Sequence, residues 1–130
     1  MHPFRAAAEA GDHDAIEALL ADDVVFTSPV AYRPYPGKAI TAAILRAVLR
    51  VFSEIRYVRE IGGADGRDHA LLFAAKVGDL ELTGCDFLRL NDDGLIEDLT
   101  VMVRPLSAAK ALAAAMAAEF ERVEREAAAG

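Results

Sequence analysis

Residues 84–104, GCDFLRLNDDGLIEDLTVMVR, constrain the fold more than any other stretch. Asn91-Asp92-Asp93-Gly94 is a cluster of turn formers, and Gly94 can take the positive φ that closing a hairpin often requires. Val, Leu, Ile, Phe and Thr flank it on both sides, residues that suit a pleated, half-buried surface. The stretch therefore reads as two antiparallel strands. Pairing Leu90 with Leu95 sets Asp86 opposite Leu99 and Phe87 opposite Asp98. Side chains alternate along a strand, so one face carries Gly84, Asp86, Leu88, Leu99, Val101 and Val103. The other carries Cys85, Phe87, Arg89, Ile96, Asp98, Thr100, Met102 and Arg104. Asp86 is a lone carboxylate in an apolar row, and any functional reading starts from it.

The rest of the chain supplies partners for this hairpin. Residues 3–10 and 14–21 read as two short helices, with Asp12 a candidate cap for the second. Val24-Val25-Phe26-Thr27 is a short strand ended by Ser28-Pro29, and PVAYRPYPG (29–37) is a stiff, aromatic loop. Ile40, Ile44, Leu45, Val48, Leu49 and Phe52 recur at helical spacing from Lys38 to about Phe52. Residues 55–61 and 69–77 read as strands separated by Gly62-Gly63-Ala64-Asp65-Gly66. A Gly78-Asp79 turn pairs Lys76 with Glu81. After Pro105, Ser107 is a candidate cap for a final helix of about twenty residues, with ERVEREAAAG expected to fray.

Extending the first hairpin sets Leu71 opposite Asp86 and Phe73 opposite Gly84. His69, Leu71, Phe73, Ala75, Leu82, Asp86, Leu99, Val101 and Val103 then share one surface. Helices followed by a strand meander make an α+β fold over residues 1–130 as a single domain. The expected shape is a cone: a curved antiparallel sheet wrapped by the N-terminal helices around a pocket, with a C-terminal helix. Asp86 points into that pocket.

Charge and composition exclude several functions. A net charge of −7 disfavours nucleic acid and anionic membranes, which want a basic face. Cys85 is alone, so no internal disulfide forms, and MHPFRAAAEAGD has no apolar signal core. No run approaches the roughly 18 apolar residues of a membrane span. The expectation is a cytoplasmic domain. His2, His13 and His69 lack metal-ligand spacing with acids or with Cys85, and no metal or cofactor is expected. Gly62, Gly63 and Gly66 follow a strand but lack the phosphate-binding spacing, so they are read as turn formers.

The opening helices with GDHDAIEALLADDVVFTSP, the loop PYPGKAI entering a helix, and CDFLRLNDDGLIEDLTVMVRP form a recognisable pattern. It resembles the nuclear transport factor 2-like superfamily, especially its SnoaL-like (polyketide-cyclase-like) and ketosteroid-isomerase-like branches. That fold hosts isomerases, dehydratases, hydrolases, cyclases and non-catalytic proteins. In ketosteroid isomerases a late-strand aspartate hydrogen-bonds the substrate oxygen, and Asp86 matches it. Their general-base aspartate precedes a proline, where Ser28 stands before Pro29. Their first-helix oxyanion tyrosine falls on Phe4. A serine hydroxyl with no partner base cannot abstract a carbon-bound proton at neutral pH, so steroid isomerisation is not expected.

Asp86 is the candidate catalytic residue. Burial among leucines, valines and phenylalanine should raise its pKa, and a neutral acid there can donate a hydrogen bond to a carbonyl oxygen. The alternative is that it accepts bonds from a tyrosine or backbone amides and fixes helix–sheet packing. Candidate ligand-binding residues are Phe4, Ser28, Tyr32, Tyr35, His69, Leu71, Phe73, Leu99, Val101 and Val103. Tyr32 and Tyr35 either line the pocket mouth or seal the core end. His69 is either a base or a half-exposed strand residue. Arg33 reads as a solvated loop residue, and Cys85 has no base partner.

Two functions stay open. One is a pocket for a small apolar organic ligand bearing a carbonyl or hydroxyl, with cofactor-free acid–base chemistry of isomerase, cyclase or hydrolase type. The other is a non-catalytic association module with a vestigial pocket. In either case the outer sheet face (Leu72, Cys85, Phe87, Ile96, Thr100 and Met102) is expected to form a homodimer, as the resemblance also implies, unless the final helix covers it.

Overall fold

The computed structural model describes residues 2–130. Its elements are α1 (Pro3–Ala10), α2 (His13–Ala18), β1 (Leu20–Thr27), β2 (Tyr35–Pro36), α3 (Lys38–Val51) and β3 (Ser53–Gly62). They are followed by β4 (Asp68–Val77), β5 (Leu80–Leu90), β6 (Ile96–Arg104) and α4 (Leu106–Ala129). Local chemistry explains the helix starts. The His2 ring accepts from the Phe4 N–H at 3.1 Å, with Pro3 at the first helical position. Asp12 accepts from the Ala15 N–H at 3.1 Å, as a cap should.

One curved sheet runs β2-β1-β6-β5-β4-β3. The strands β3 to β6 form an antiparallel meander, but β1 pairs parallel with β6, so the sheet is mixed rather than wholly antiparallel. That parallel pairing also shortens the second helix. Sequence alone extends it to residue 21, yet the Leu19 carbonyl accepts from the Ile96 N–H at 2.8 Å, and Leu20 is already in β1.

The β4–β5 register matches expectation: Leu71 opposes Asp86, Phe73 opposes Gly84, and Lys76 opposes Glu81. The β5–β6 register does not. Asp86 opposes Val101 and Phe87 opposes Thr100, two residues from the expected pairing. An even slip leaves the faces unchanged. Nearer the turn, Arg89 opposes Asp98 while Leu90 opposes Ile96, so Glu97 is an extra residue in a bulge. The bulge reverses the alternation, and Ile96 is 0% exposed in the core rather than on the outer face.

The four helices among the described residues all have buried residues in the core on the inner side of the sheet. Leu112 of α4 is part of that core, so α4 packs inward and does not cover the outer face. It begins at Leu106 after Pro105, with Ser107 inside it rather than capping it. Nor does its end fray. Val123 is buried, and Glu126 accepts from Arg46 at 2.8 Å, tying the last turns to α3. Among the described residues no helix is long and apolar enough to cross a membrane.

Candidate functional site

Asp86 projects inward from β5 and is 5% exposed. Tyr57, on β3, reaches across the intervening strand and donates its hydroxyl to Asp86 Oδ2 at 2.6 Å. Two features aim that tyrosine. A register shift follows it in β3, and its ring packs edge-on against Phe73, centroids 5.7 Å apart. Phe73 itself needs Gly84 opposite, because a Cβ there would run into the Phe73 ring. Phe52 also packs against Phe73, with centroids 5.7 Å apart.

Burial pushes the Asp86 carboxyl up to about 7, and the Tyr57 hydrogen bond pulls partly against it. Burial, followed by the negative charge of Asp86, pushes the Tyr57 hydroxyl far above the usual phenol range. Tyr57 is therefore the donor at neutral pH. Among the described residues Asp86 Oδ1 meets no donor.

The cavity in front of this pair measures about 50 Å³. Its wall includes Phe4, Ile16, Phe26, Leu45, Phe52 and Phe73, with Ser28, Tyr57 and Asp86 as its polar groups. Asp86 is the charged side chain among the described wall residues. Half-buried Leu49, Ile55 and Met116 and exposed Val30 belong to its more solvent-accessible part.

Of the residues singled out from sequence, the structure brings Phe4, Ser28, Phe73, Asp86 and Val101 together around the cavity. The Ser28 hydroxyl accepts from the Val30 N–H at 3.1 Å, shaping the loop after β1. Leu71 and Leu99 are fully buried but lie outside the wall, and Val103 is half-buried outside it. Tyr32 is 98% exposed. Tyr35 stacks between Phe26 and Phe120, at 6.5 and 6.0 Å, and closes one end of the core instead. His69 lies elsewhere, its ring 5.0 Å from that of His2 and its Nε2 2.9 Å from the Gly66 carbonyl. Tyr57 is the residue sequence reasoning overlooked. Its signal was present: Ile55 and Tyr57 alternate with Glu54 and Arg56, the period of a strand with one buried face.

Residues 2–99 match the SnoaL-like domain family. The chain belongs to that family. Solved structures agree with the placement. A steroid delta-isomerase from Pseudomonas aeruginosa shares 40% identity with this SnoaL-like domain, over 92% of this chain and 87% of that one, with a TM-score of 0.87. An uncharacterized protein with a cystatin-like fold from Silicibacter pomeroyi shares 39% identity, over 95% and 91%, with a TM-score of 0.85. The epoxide hydrolase/cyclase-like enzyme SalBIII of pyran ring formation in salinomycin shares 18%, over 81% and 87%, with a TM-score of 0.66, a likeness of fold alone. No curated protein matches the chain.

Proposed function

We propose that this SnoaL-like domain is a cofactor-free acid–base enzyme. Its substrate is a neutral, apolar compound bearing a carbonyl or hydroxyl oxygen, with Asp86 at the reacting oxygen. The observation that carries this reading is a buried carboxyl, held at one oxygen by Tyr57, in a cavity lined mainly by apolar side chains; burial there pushes the carboxyl up to about 7. A catalytic group works best when its pKa lies near the operating pH. Protonated on Oδ1, Asp86 donates to a carbonyl oxygen while Oδ2 keeps its bond from Tyr57. The bond from Oδ1 polarises the carbonyl, and Tyr57 stabilises the partial negative charge that the polarisation leaves on the carboxyl group. In its ionised form the same oxygen accepts a hydrogen bond from a substrate hydroxyl.

The 40% identity with a steroid delta-isomerase bears on fold and lineage. Ser28 and Phe4 stand where ketosteroid isomerases carry a base and an oxyanion donor, so the reading here is chemistry through one carboxylate. A cavity of about 50 Å³ holds a few waters. Substrate entry therefore displaces the wall at Val30, Leu49, Ile55 and Met116.

Binding and turnover of graded neutral ketones and alcohols, compared in wild type, Asp86→Asn and Asp86→Leu, test the proposal. Turnover should be lost in both variants. Affinity should fall about tenfold in the leucine variant, the value of one hydrogen bond. Equal affinity in wild type and Asp86→Leu would remove Asp86 from the site.

The outer face supports a second proposal, a homodimer. Phe87 is 43% and Met102 59% exposed there, and Leu72, Cys85 and Thr100 are half-buried beside them. Among the described residues no helix lies over them, and soluble monomers rarely leave large apolar patches in water. The lone, half-buried Cys85 fits a reducing, cytoplasmic setting.

A further inference from the structure

Tyr57 lies on β3, an edge strand of the sheet. An edge residue presents backbone groups that no neighbouring strand can satisfy. At Tyr57 both are taken by side chains of α1. Its N–H donates to Glu9 Oε2 at 2.8 Å, and its carbonyl accepts from Arg5 Nη2 at 3.1 Å. Arg5 and Glu9 are one helical turn apart, yet their own ion pair is long at 3.6 Å, and Arg5 Nε is buried without a hydrogen-bond partner. Each side chain is closer to Tyr57 than to the other. Glu60 of β3 holds the far side of the arrangement, 3.6 Å from Arg5 and accepting from the His2 N–H at 3.2 Å.

Docking α1 on the body does not require this arrangement. Phe4, Ala7 and Ala8 already bury the inner face of that helix. Surface ion pairs contribute little on their own. Two charged groups converging on the backbone of one residue instead restrict where that residue's ring can go. The residue so held is the one whose hydroxyl meets Asp86.

We propose that Arg5 and Glu9 are positioning residues for Asp86, acting by clamping the Tyr57 backbone so that its hydroxyl stays on the carboxylate. The inference rests on the reading of Asp86 and Tyr57 as the reacting pair. The charged groups around the tyrosine are Asp86 from β5, Arg5 and Glu9 from α1, and Glu60 within β3.

The test is the titration of Asp86 itself, followed by NMR of carboxyl-labelled aspartate in five variants. Tyr57→Phe removes the bond that lowers the Asp86 pKa, so its midpoint should move up. Glu9→Leu and Arg5→Met should each reproduce at least half of that displacement. Glu9→Gln, which keeps an acceptor for the Tyr57 N–H, should stay close to wild type. Asp12→Ala, which loosens the α2 cap, should lower the melting temperature and leave the midpoint in place. If Tyr57→Phe moves the midpoint while Glu9→Leu and Arg5→Met leave it at the wild-type value, the clamp only docks a helix and the inference is overturned. If Tyr57→Phe leaves it unmoved, the pairing of Tyr57 with Asp86 falls, and the clamp with it.

Discussion

Asp86 and Phe87 are neighbours in β5 and have opposite fates. The acid is almost fully buried, while the phenylalanine is 43% exposed. The contrast extends across the sheet. Leu71, Phe73, Leu82, Leu88 and Leu99 on the inner face are all buried, whereas Leu72, Phe87 and Met102 on the outer face meet solvent in the single chain. Both faces are apolar in sequence. They differ because short turns such as Gly78-Asp79 join the meander strands, leaving no connection long enough to cover the second face. The helices before and after the meander all pack on the first. Apolar composition thus says that a face will be covered; chain connectivity says whether the cover comes from the same molecule.

The largest break in this comparison is Phe73→Ala beside Phe87→Ala. Removing the buried ring should cost about 3–5 kcal/mol in urea unfolding, and the outer one under ~1 kcal/mol in the monomer. Comparable losses would show that the two faces are equally buried in solution.

The Asp86 titration should come next. The folded chain keeps the Asp86 proton up to about pH 7, while the unfolded chain releases it near 3.8. Between those values the unfolded state binds fewer protons, so this group's contribution to stability falls as pH rises, and it is flat above the window. At about 1.4 kcal/mol per pKa unit the full loss is about 4 kcal/mol. Unfolding free energies of wild type and Asp86→Asn from pH 4 to 8 isolate it, because the asparagine variant should lack this slope. Parallel curves would mean that Asp86 ionises normally.

A smaller effect is expected at Gly84, where a methyl group collides with Phe73. Gly84→Ala should cost about 1–3 kcal/mol by overpacking, and adding Phe73→Leu should make the double change milder than the sum of the two. Strict additivity would argue against the contact. The smallest effect on the monomer's own stability, within about 0.5 kcal/mol, belongs to Phe87→Asp/Met102→Lys. Sedimentation should find wild type dimeric and this variant monomeric. A monomeric wild type ends the dimer proposal.

The sequence made most of the architecture legible. Alternating side chains and the Gly78-Asp79 turn placed Leu71 opposite Asp86, and parity alone put Asp86 on the buried face. Parity is robust because even a two-residue slip, which the β5–β6 pairing contains, preserves it. The turn chemistry of Asn91 to Gly94 marked where the hairpin closes, and the Asn91 side chain does accept there from the Asp93 and Leu95 N–H groups.

Long-range contacts were beyond its reach. The bulge at Glu97 that turns Ile96 inward depends on how β6 fits both β5 and β1. The ordered end of α4 depends on arginines of α3, eighty positions away at Arg46–Glu126. Tyr57 meets Asp86 across a strand that intervenes in space and at a separation of twenty-nine positions in sequence. Local propensity and period come from neighbours along the chain, so the sequence by itself determined most of the elements, the faces of the strands away from the bulge, and the buried acid. Which tyrosine reaches that acid, and which face stays bare, was decided by packing between distant segments, whose geometry no periodicity encodes.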